Sequence, residues 1–327
     1  MNKKEFPIPI VFCADGKFKN FAIVTMTSVM ANHPSYFFRF YLLCSSDDGD
    51  WTEKVNRKIL SQGSTITVVL VDESTFSDFP ILHHFSPANY FRILIPQLIS
   101  DPKYIYLDSD IICYGSLLPL LDVNLSDQVL AAVEDPIFKW KKELGMSVGA
   151  RYFNSGVMLV DSEAWKKQEI GSKAIAFISQ NPEKIRFVDQ CALNAVLDGN
   201  WQRLPPALNQ QSIVYREDFD LNCTDWTAEE IHEAKNTPIL IHFTGPSKPW
   251  HYTNPHPLKS LYWKYQKDSP FAMSFPEGMT PLDHIKRLFP NSLKQNIKKL
   301  DFSEKGLKYF QILNLSEHTF KICEGLL

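Results

Sequence analysis

Two rhythms of apolar residues succeed one another along the chain. Ile8 to Cys13 is a short apolar run that stops at Ala14-Asp15-Gly16, which predicts a strand and then a turn. Ala22, Ile23, Met26, Val29 and Met30 follow at helical spacing until His33-Pro34 closes the segment. Phe37 to Cys44 and Thr65 to Val71 are rich in β-formers, with a helical stretch around Trp51 to Leu60 between them. Strand, helix, strand, helix, strand predicts a parallel, doubly wound α/β sheet. Beyond it, Tyr90 to Leu98 reads as a buried helix, and Gln128 to Val133 and Gly156 to Val160 as strands. Ile170 to Ser179 and Val188 to Leu197 read as helices, and Pro238 to Phe243 as a last strand. After Ser269-Pro270 the strong β runs cease. Residues 270–327 carry Lys286, Arg287, Lys294, Lys298, Lys299, Lys305 and Lys308 among Leu, Ile and Phe, which predicts a helical, basic appendage to a 1–269 domain.

Composition narrows the function classes. The chain has 327 residues, 44% of them hydrophobic, enough for one large core. A formal charge of -3 gives no global electrostatic case for nucleic acid. Cys13, Cys44, Cys113, Cys191, Cys223 and Cys323 are dispersed, mostly within apolar runs and with no C-x-x-C pair, the pattern of reduced, buried thiols. Pro7 and Pro9 interrupt the N-terminal apolar run, so no secretory segment is expected, and no window is long enough to span a bilayer. The expected location is the cytoplasm.

Tyr104 to Leu107 is an apolar run that ends in Asp108-Ser109-Asp110 before Ile111-Ile112 resumes it. Residues two apart in an extended backbone point to one side, so both carboxylates would converge at a strand end, where open α/β sheets place ligands. Converging carboxylates repel unless a cation lies between them. A hard divalent ion with two protein carboxylates keeps room for substrate phosphates. Turn chemistry accounts for an isolated D-x-D equally well, so the pattern needs partners.

Four further segments are polar where packing would not ask for it. Asp15-Gly16-Lys17-Phe18 lies at the first strand–helix junction, where Asp15 suits a base N–H and Phe18 a stacking ring; a turn with a helix cap explains it as well. In Tyr152-Phe153-Asn154-Ser155-Gly156-Val157, a polar and small trio interrupts an apolar strand, at a ligand or at a β-bulge. Asp189-Gln190 opens a helical pattern; an N-cap explains Asp189 and not Gln190. Finally, His242 on a strand is followed by Gly245 and Lys248, a spacing that suits metal and phosphate contact together.

These segments occur in one order that resembles the family 8 glycosyltransferases, within the bacterial group that builds the lipopolysaccharide or lipooligosaccharide core. The resemblance rests on Phe12 to Asp15, Tyr90-Phe91-Arg92, Tyr106 to Asp110, Glu134-Asp135, Phe153 to Val157, Asp189-Gln190 and His242 to Trp250, over roughly residues 8 to 268. It implies a GT-A fold with a mixed, mostly parallel sheet, binding UDP-galactose or UDP-glucose with Mn²⁺ or Mg²⁺. By matching motif, Asp108, Asp110 and His242 would be metal ligands. Cys13, Ala14, Asp15, Lys17, Phe18, Ser109, Gly245 and Lys248 would hold the nucleotide. Arg92, Asn154, Ser155, Asp189 and Gln190 would surround the donor sugar, with Asp135 near donor and acceptor. Similar enzymes commonly carry Asn where this chain has Lys17, a departure at the uridine contacts.

Family 8 enzymes retain anomeric configuration, so the resemblance implies an α-linkage to a lipid-linked oligosaccharide acceptor. Gln190 matches the position of a would-be nucleophile, and an amide is a poor one; attack from the front face is the preferred route, with Asp189 as the alternative nucleophile. Two other readings compete: a haloacid-dehalogenase-type phosphohydrolase, which also uses D-x-D after a strand, and a non-catalytic sugar-nucleotide-binding module. In the tail, Lys294, Lys298 and Lys305 alternate with Leu293, Ile297 and Leu300 as in an amphipathic helix that lies on an anionic inner-membrane face; a solvated appendage explains the pattern equally.

Overall fold

The computed structural model describes residues 7–81, 86–280 and 283. The large sheet opens with β1 (Ile8–Cys13), β2 (Phe38–Cys44) and β3 (Thr65–Leu70), joined through α1 (Phe18–Asn32) and α2 (Gly49–Leu60). Next come α3 (Ala88–Phe91), α4 (Ile95–Leu98), β4 (Lys103–Leu107), β5 (Ile111–Cys113) and α5 (Leu118–Leu121). They are followed by β6 (Leu130–Glu134), β7 (Phe153–Asp161), α6 (Ser162–Lys167), α7 (Ile170–Gln180) and α8 (Val188–Leu197). The chain continues through β8 (Gln202–Arg203), β9 (Gln210–Gln211), α9 (Ala228–Asn236), β10 (Leu240–His242) and α10 (Lys259–Asp268).

Seven strands form one sheet in the order β3-β2-β1-β4-β7-β6-β8. The first four run parallel, as the alternation of strand and helix requires, and β7 runs antiparallel to both β4 and β6. Side chains alternate across it. Ile10, Phe12, Ile105 and Leu107 pack with Ala22, Ile23 and Met26 of α1 on one face. Val11, Tyr104 and Tyr106 pack with Ile178 of α7 and Cys191 and Leu193 of α8 on the other. Two covered faces explain why these strands read as unbroken apolar runs.

A second sheet, β5-β10-β9, decides where the chemistry sits. The chain leaves the large sheet at Leu107 and enters the small one at Ile111, so Asp108-Ser109-Asp110 is the link between sheets. α1 secures the far side of that link: Thr25 Oγ1 donates to the Ile111 carbonyl (2.7 Å), Ser28 Oγ accepts from Cys113 N–H (2.9 Å), and Asn32 Nδ2 donates to the Cys113 carbonyl (2.9 Å). These contacts give the buried hydroxyls of α1 their partners.

Three expectations change. Tyr90 to Leu98 is not one helix but α3, a 3₁₀ turn over Arg92–Leu94 and α4, because Pro96 has no N–H to continue the ladder. The last strand is shorter than Pro238 to Phe243. Cys44, Cys113 and Cys191 are buried free thiols and Cys13 is half-buried, but Cys223 is exposed; Cys323 lies outside the described residues.

Residues Met1–Pro249 and Pro255–Ala272 form one compact unit, and Trp250–Asn254 with Met273–Leu327 a second, of which 250–254, 273–280 and 283 are described. Within the second, Glu277 pairs with the 250–252 stretch: Tyr252 N–H donates to the Glu277 carbonyl and Glu277 N–H to that of Trp250, each at 2.8 Å. The basic amphipathic pattern read in 286–308 lies outside the described residues. No helix among the described residues is long and apolar enough to cross a membrane.

Candidate active site

The D-x-D pair does not sit on an extended strand. Residues 109–110 form a turn between β4 and β5, and what brings the donors together is sheet register. β10 pairs antiparallel with β5 so that His242 lies opposite Ile111, and Phe243 N–H donates to the Asp110 carbonyl at 3.1 Å. One ligand atom from each of Asp108, Asp110 and His242 then falls within 4.8 Å of the others. His242 Nε2 lies 3.3 Å from Asp110 Oδ1 and 3.8 Å from Asp108 Oδ2.

β7 supplies the floor of this cluster. Its register against β6 jumps from Ala132↔Met158 to Val133↔Asn154, which throws residues 155–157 out of that ladder as a bulge. The bulge alternative for Asn154-Ser155-Gly156 is what forms, and it brings Gly156 up against the donor cluster. Gly156 accepts from Asp108 N–H (2.8 Å), and a Cβ there would stand 2.3 Å from His242 Cε1 and 2.7 Å from Asp108 Oδ2. Only glycine leaves the donors their space.

The charges around the cluster are arranged in pairs. Lys248 Nζ donates to Asp110 Oδ2 and to the Phe243 carbonyl, the latter at 3.2 Å. Burial alone would raise the Asp110 carboxyl, but the Lys248 ammonium and His242 hold it well below the usual carboxylate range. Arg92, 2% exposed, lies 4.4 Å over the Tyr106 ring. Its Nη2 meets Asp108 Oδ1 at 3.0 Å, its Nε meets Asp189 Oδ2 at 3.3 Å, and its Nη1 donates to the carbonyl and Oγ of Ser155. Tyr106 OH donates to the same Asp108 oxygen at 2.7 Å. Burial works against the Arg92 charge, and Asp108 and Asp189 more than offset it.

Asp189 is not a helix cap. It stands in the first turn of α8, whose N-cap is Phe187, and is buried against Arg92. Burial pushes its carboxyl up to about 6, with Arg92 opposing and Asp108 adding to the rise. Gln190 has the role that capping left unexplained: its Oε1 accepts from Ser155 N–H (3.0 Å) and its Nε2 donates to Asp135 Oδ2 (3.0 Å). Asp135 follows β6 and also accepts from Ile137 N–H (2.9 Å). Burial raises its carboxyl, while hydrogen bonds from Ile137, Gln190 and Asn154 pull it down.

One cavity of about 240 Å³ gathers these groups. Cys13, Ala14, Phe18, Arg92, Asp108, Ser109, Asp110, Asp135, Asn154, Ser155, Asp189, Gln190, His242, Gly245 and Lys248 all line it. Asp15 and Lys17 do not. Asp15 nevertheless braces its wall: Oδ1 accepts from Ser45 N–H and Oγ at 2.7 and 3.0 Å, and Oδ2 is buried without a partner. It does not cap α1, whose N-cap is Lys17. Gln211 and Asn89 line the cavity too and escaped the sequence reading, as did Asn209 behind His242. Asn209-Gln210-Gln211-Ser212 is a polar run flanked by Leu208 and Ile213, and that interruption was the signal available.

The cluster fits a divalent cation on its own chemistry: two carboxylates and an imidazole, opposed by one ammonium, around a space that a single methyl group would fill.

Comparison with known proteins agrees with this geometry. Residues 9–254 match the family described as "Glycosyl transferase family 8". General stress protein A of Bacillus subtilis is 30% identical over 80% of this chain and 94% of its own. Lipopolysaccharide 1,3-galactosyltransferase of Salmonella typhimurium is 27% identical over 78% of this chain and 77% of its own. The structure of galactosyltransferase LgtC with donor and acceptor sugar analogues superposes with a TM-score of 0.73 at 27% identity, covering 83% of this chain and 98% of that one. The sheet order and the small second sheet are thus a GT-A fold, and the chain belongs to glycosyl transferase family 8.

Proposed function

We propose that this glycosyltransferase moves galactose or glucose from UDP to a sugar hydroxyl of a lipopolysaccharide or lipooligosaccharide core, with retention, giving an α-linkage. The observation that carries this reading is that one cavity joins the Asp108–Asp110–His242 cluster and Lys248 to the Asp135–Gln190 pair. Relatives named as lipopolysaccharide galactosyl- and glucosyltransferases support the acceptor class.

Cleavage of the anomeric C–O bond develops negative charge on the diphosphate and positive charge on the sugar. Mn²⁺ or Mg²⁺ held by Asp108, Asp110 and His242 would supply charge for the leaving diphosphate. Lys248, beside Asp110, brings an ammonium to the same end, and Gly245 leaves the backbone open to a phosphate. Phe18 offers a base a stacking face from the cavity wall, and Asp15 stands behind that wall, held by Ser45.

Two features favour attack from the front face over a covalent intermediate. The Gln190 carbonyl is committed to Ser155 N–H, and an amide oxygen is a weak nucleophile. Asp189 is 1% exposed and held against Arg92, so it is not free to attack. In this account the acceptor hydroxyl gives its proton to the departing phosphate, while Asp135 and Gln190 orient the sugars and balance the developing positive charge.

Incubation with UDP-galactose or UDP-glucose, Mn²⁺ and truncated core oligosaccharide tests the proposal. UDP release with an α-anomeric proton signal in the product supports it. A β-linked product sinks the retaining assignment, inorganic phosphate release points to a phosphohydrolase, and binding without turnover to a sugar-nucleotide-binding module.

A further inference from the structure

Behind the cation-binding cluster runs a chain of buried carboxamides whose direction is fixed at one end. Asn209 is fully buried at the end of the 3₁₀ turn Pro206–Asn209, which leads into β9, and β9 pairs with β10 so that Gln211 lies opposite His242. Its Oδ1 lies 2.9 Å from His242 Nδ1, and its Nδ2 donates to Asn154 Oδ1 at 2.9 Å. Asn154 Oδ1 also accepts from Gly156 N–H at 3.1 Å.

A carboxamide can be turned end for end, and an imidazole carries its proton on either nitrogen, so geometry alone leaves such a chain ambiguous. The Gly156 backbone removes the ambiguity, because an N–H can only donate. Asn154 must therefore present its oxygen to Gly156, and that oxygen also faces Asn209. Asn209 must answer with its NH₂ group, which turns its own oxygen toward His242. His242 Nδ1 must then carry a proton, so that Nε2, the nitrogen that faces Asp110 and Asp108, is the one left for a cation. The same directionality leaves the Asn154 NH₂ group for Asp135, whose carboxyl it helps hold down.

We propose that Asn209 is a positioning residue that fixes His242 as the Nδ1–H tautomer and so presents Nε2 to the cation. The inference rests on the metal-binding reading of the cluster and deepens it. A partner behind a metal-binding histidine sets both ring orientation and ligand basicity, and its loss typically weakens metal affinity by about 10- to 100-fold. Asn209→Leu removes the acceptor and the donor at similar volume. Asn209→Asp keeps an acceptor for Nδ1–H, at the expense of the donation to Asn154, whose oxygen a carboxylate oxygen then faces.

The test has two parts that fail separately. Long-range ¹H–¹⁵N correlation on ¹⁵N-histidine protein without metal reads the His242 tautomer directly, assigned by its loss in His242→Gln. The expected wild-type signature is protonated Nδ1, kept in Asn209→Asp. An unprotonated Nδ1 in the wild type overturns the proposal whatever the cluster binds. Titration of Mn²⁺ alone, followed by the electron paramagnetic resonance of free Mn²⁺, reads affinity. About 10- to 100-fold weakening in Asn209→Leu with recovery in Asn209→Asp is expected. Unchanged affinity in Asn209→Leu, or equal loss in both variants, overturns the positioning role. Absence of Mn²⁺ binding by the wild type instead overturns the metal reading. Should Asn209→Leu fail to fold, the wild-type tautomer and Asn209→Asp decide.

Discussion

Replacing Gly156 by alanine adds one carbon at the narrowest point of the site. The new Cβ would stand 2.3 Å from His242 Cε1, 2.7 Å from Asp108 Oδ2 and 3.0 Å from His242 Nδ1, whereas ordinary contact begins at 3.4 Å. The imidazole would have to retreat by roughly 1 Å (3.4 less 2.3). It has little room to do so, because Asn209 holds it from behind, while Asp108 is tied to Arg92 and Tyr106. Overpacking of this kind costs about 1–3 kcal/mol of stability. The functional cost is larger, since a displacement of about 1 Å in a reacting constellation lowers turnover on the order of 10²-fold. Thermal unfolding followed by circular dichroism would register the first, and UDP release from the UDP-hexose the second. Wild-type turnover in a variant of unchanged melting temperature would refute the reasoning, because the two donors would then be free to move.

Asp110→Asn removes the carboxylate shared by Lys248 and His242; Mn²⁺ binding by calorimetry and transfer should both be lost, and retained binding would remove Asp110 from the ligand set. Arg92→Met strips the counter-charge from buried Asp189, a loss of about 3 kcal/mol or more in denaturant unfolding, with Arg92→Lys intermediate because an ammonium cannot reach Asp108, Asp189 and Ser155 at once. Gln190→Ala should slow transfer on the order of 10²-fold without altering product stereochemistry; a β-linked product would overturn that. His256, which accepts from Leu258 N–H and packs on Tyr215 and Phe243, is lowered by burial from 6.5 to about 4. The unfolded chain therefore takes up this proton first as pH falls, and the neutral ring's contribution, present above 6.5, is lost toward 4. Between pH 7 and 4.5 the stability of the wild type should fall by about 2 kcal/mol more than that of His256→Leu; parallel curves would contradict it.

Local pattern was enough for the frame of this protein. The period of apolar residues placed β1, α1, β2, α2 and β3 in order, and α7 and α8 nearly to the residue, because each buries a face that its own spacing defines. The break at Asp108-Ser109-Asp110 and the polar interruption at Asn154-Ser155 also stand out against the runs around them, since burial tolerates unpaired polar groups poorly. What those residues do to one another depends on pairings between distant segments. The antiparallel register of β10 on β5 sets His242 against Asp110, and the bulge in β7 makes Gly156 indispensable. Arg92 reads in sequence as a sugar contact, and only the folded chain shows it tied to Asp108, Asp189 and Ser155. Asp189 reads as a cap and is instead its buried counter-ion. Asn209 carries no local signature of its role, because a carboxamide acquires direction only from a backbone N–H that another strand delivers. Periodicity is a property of neighbours along the chain, whereas charge pairing, tautomer and close approach belong to neighbours in space.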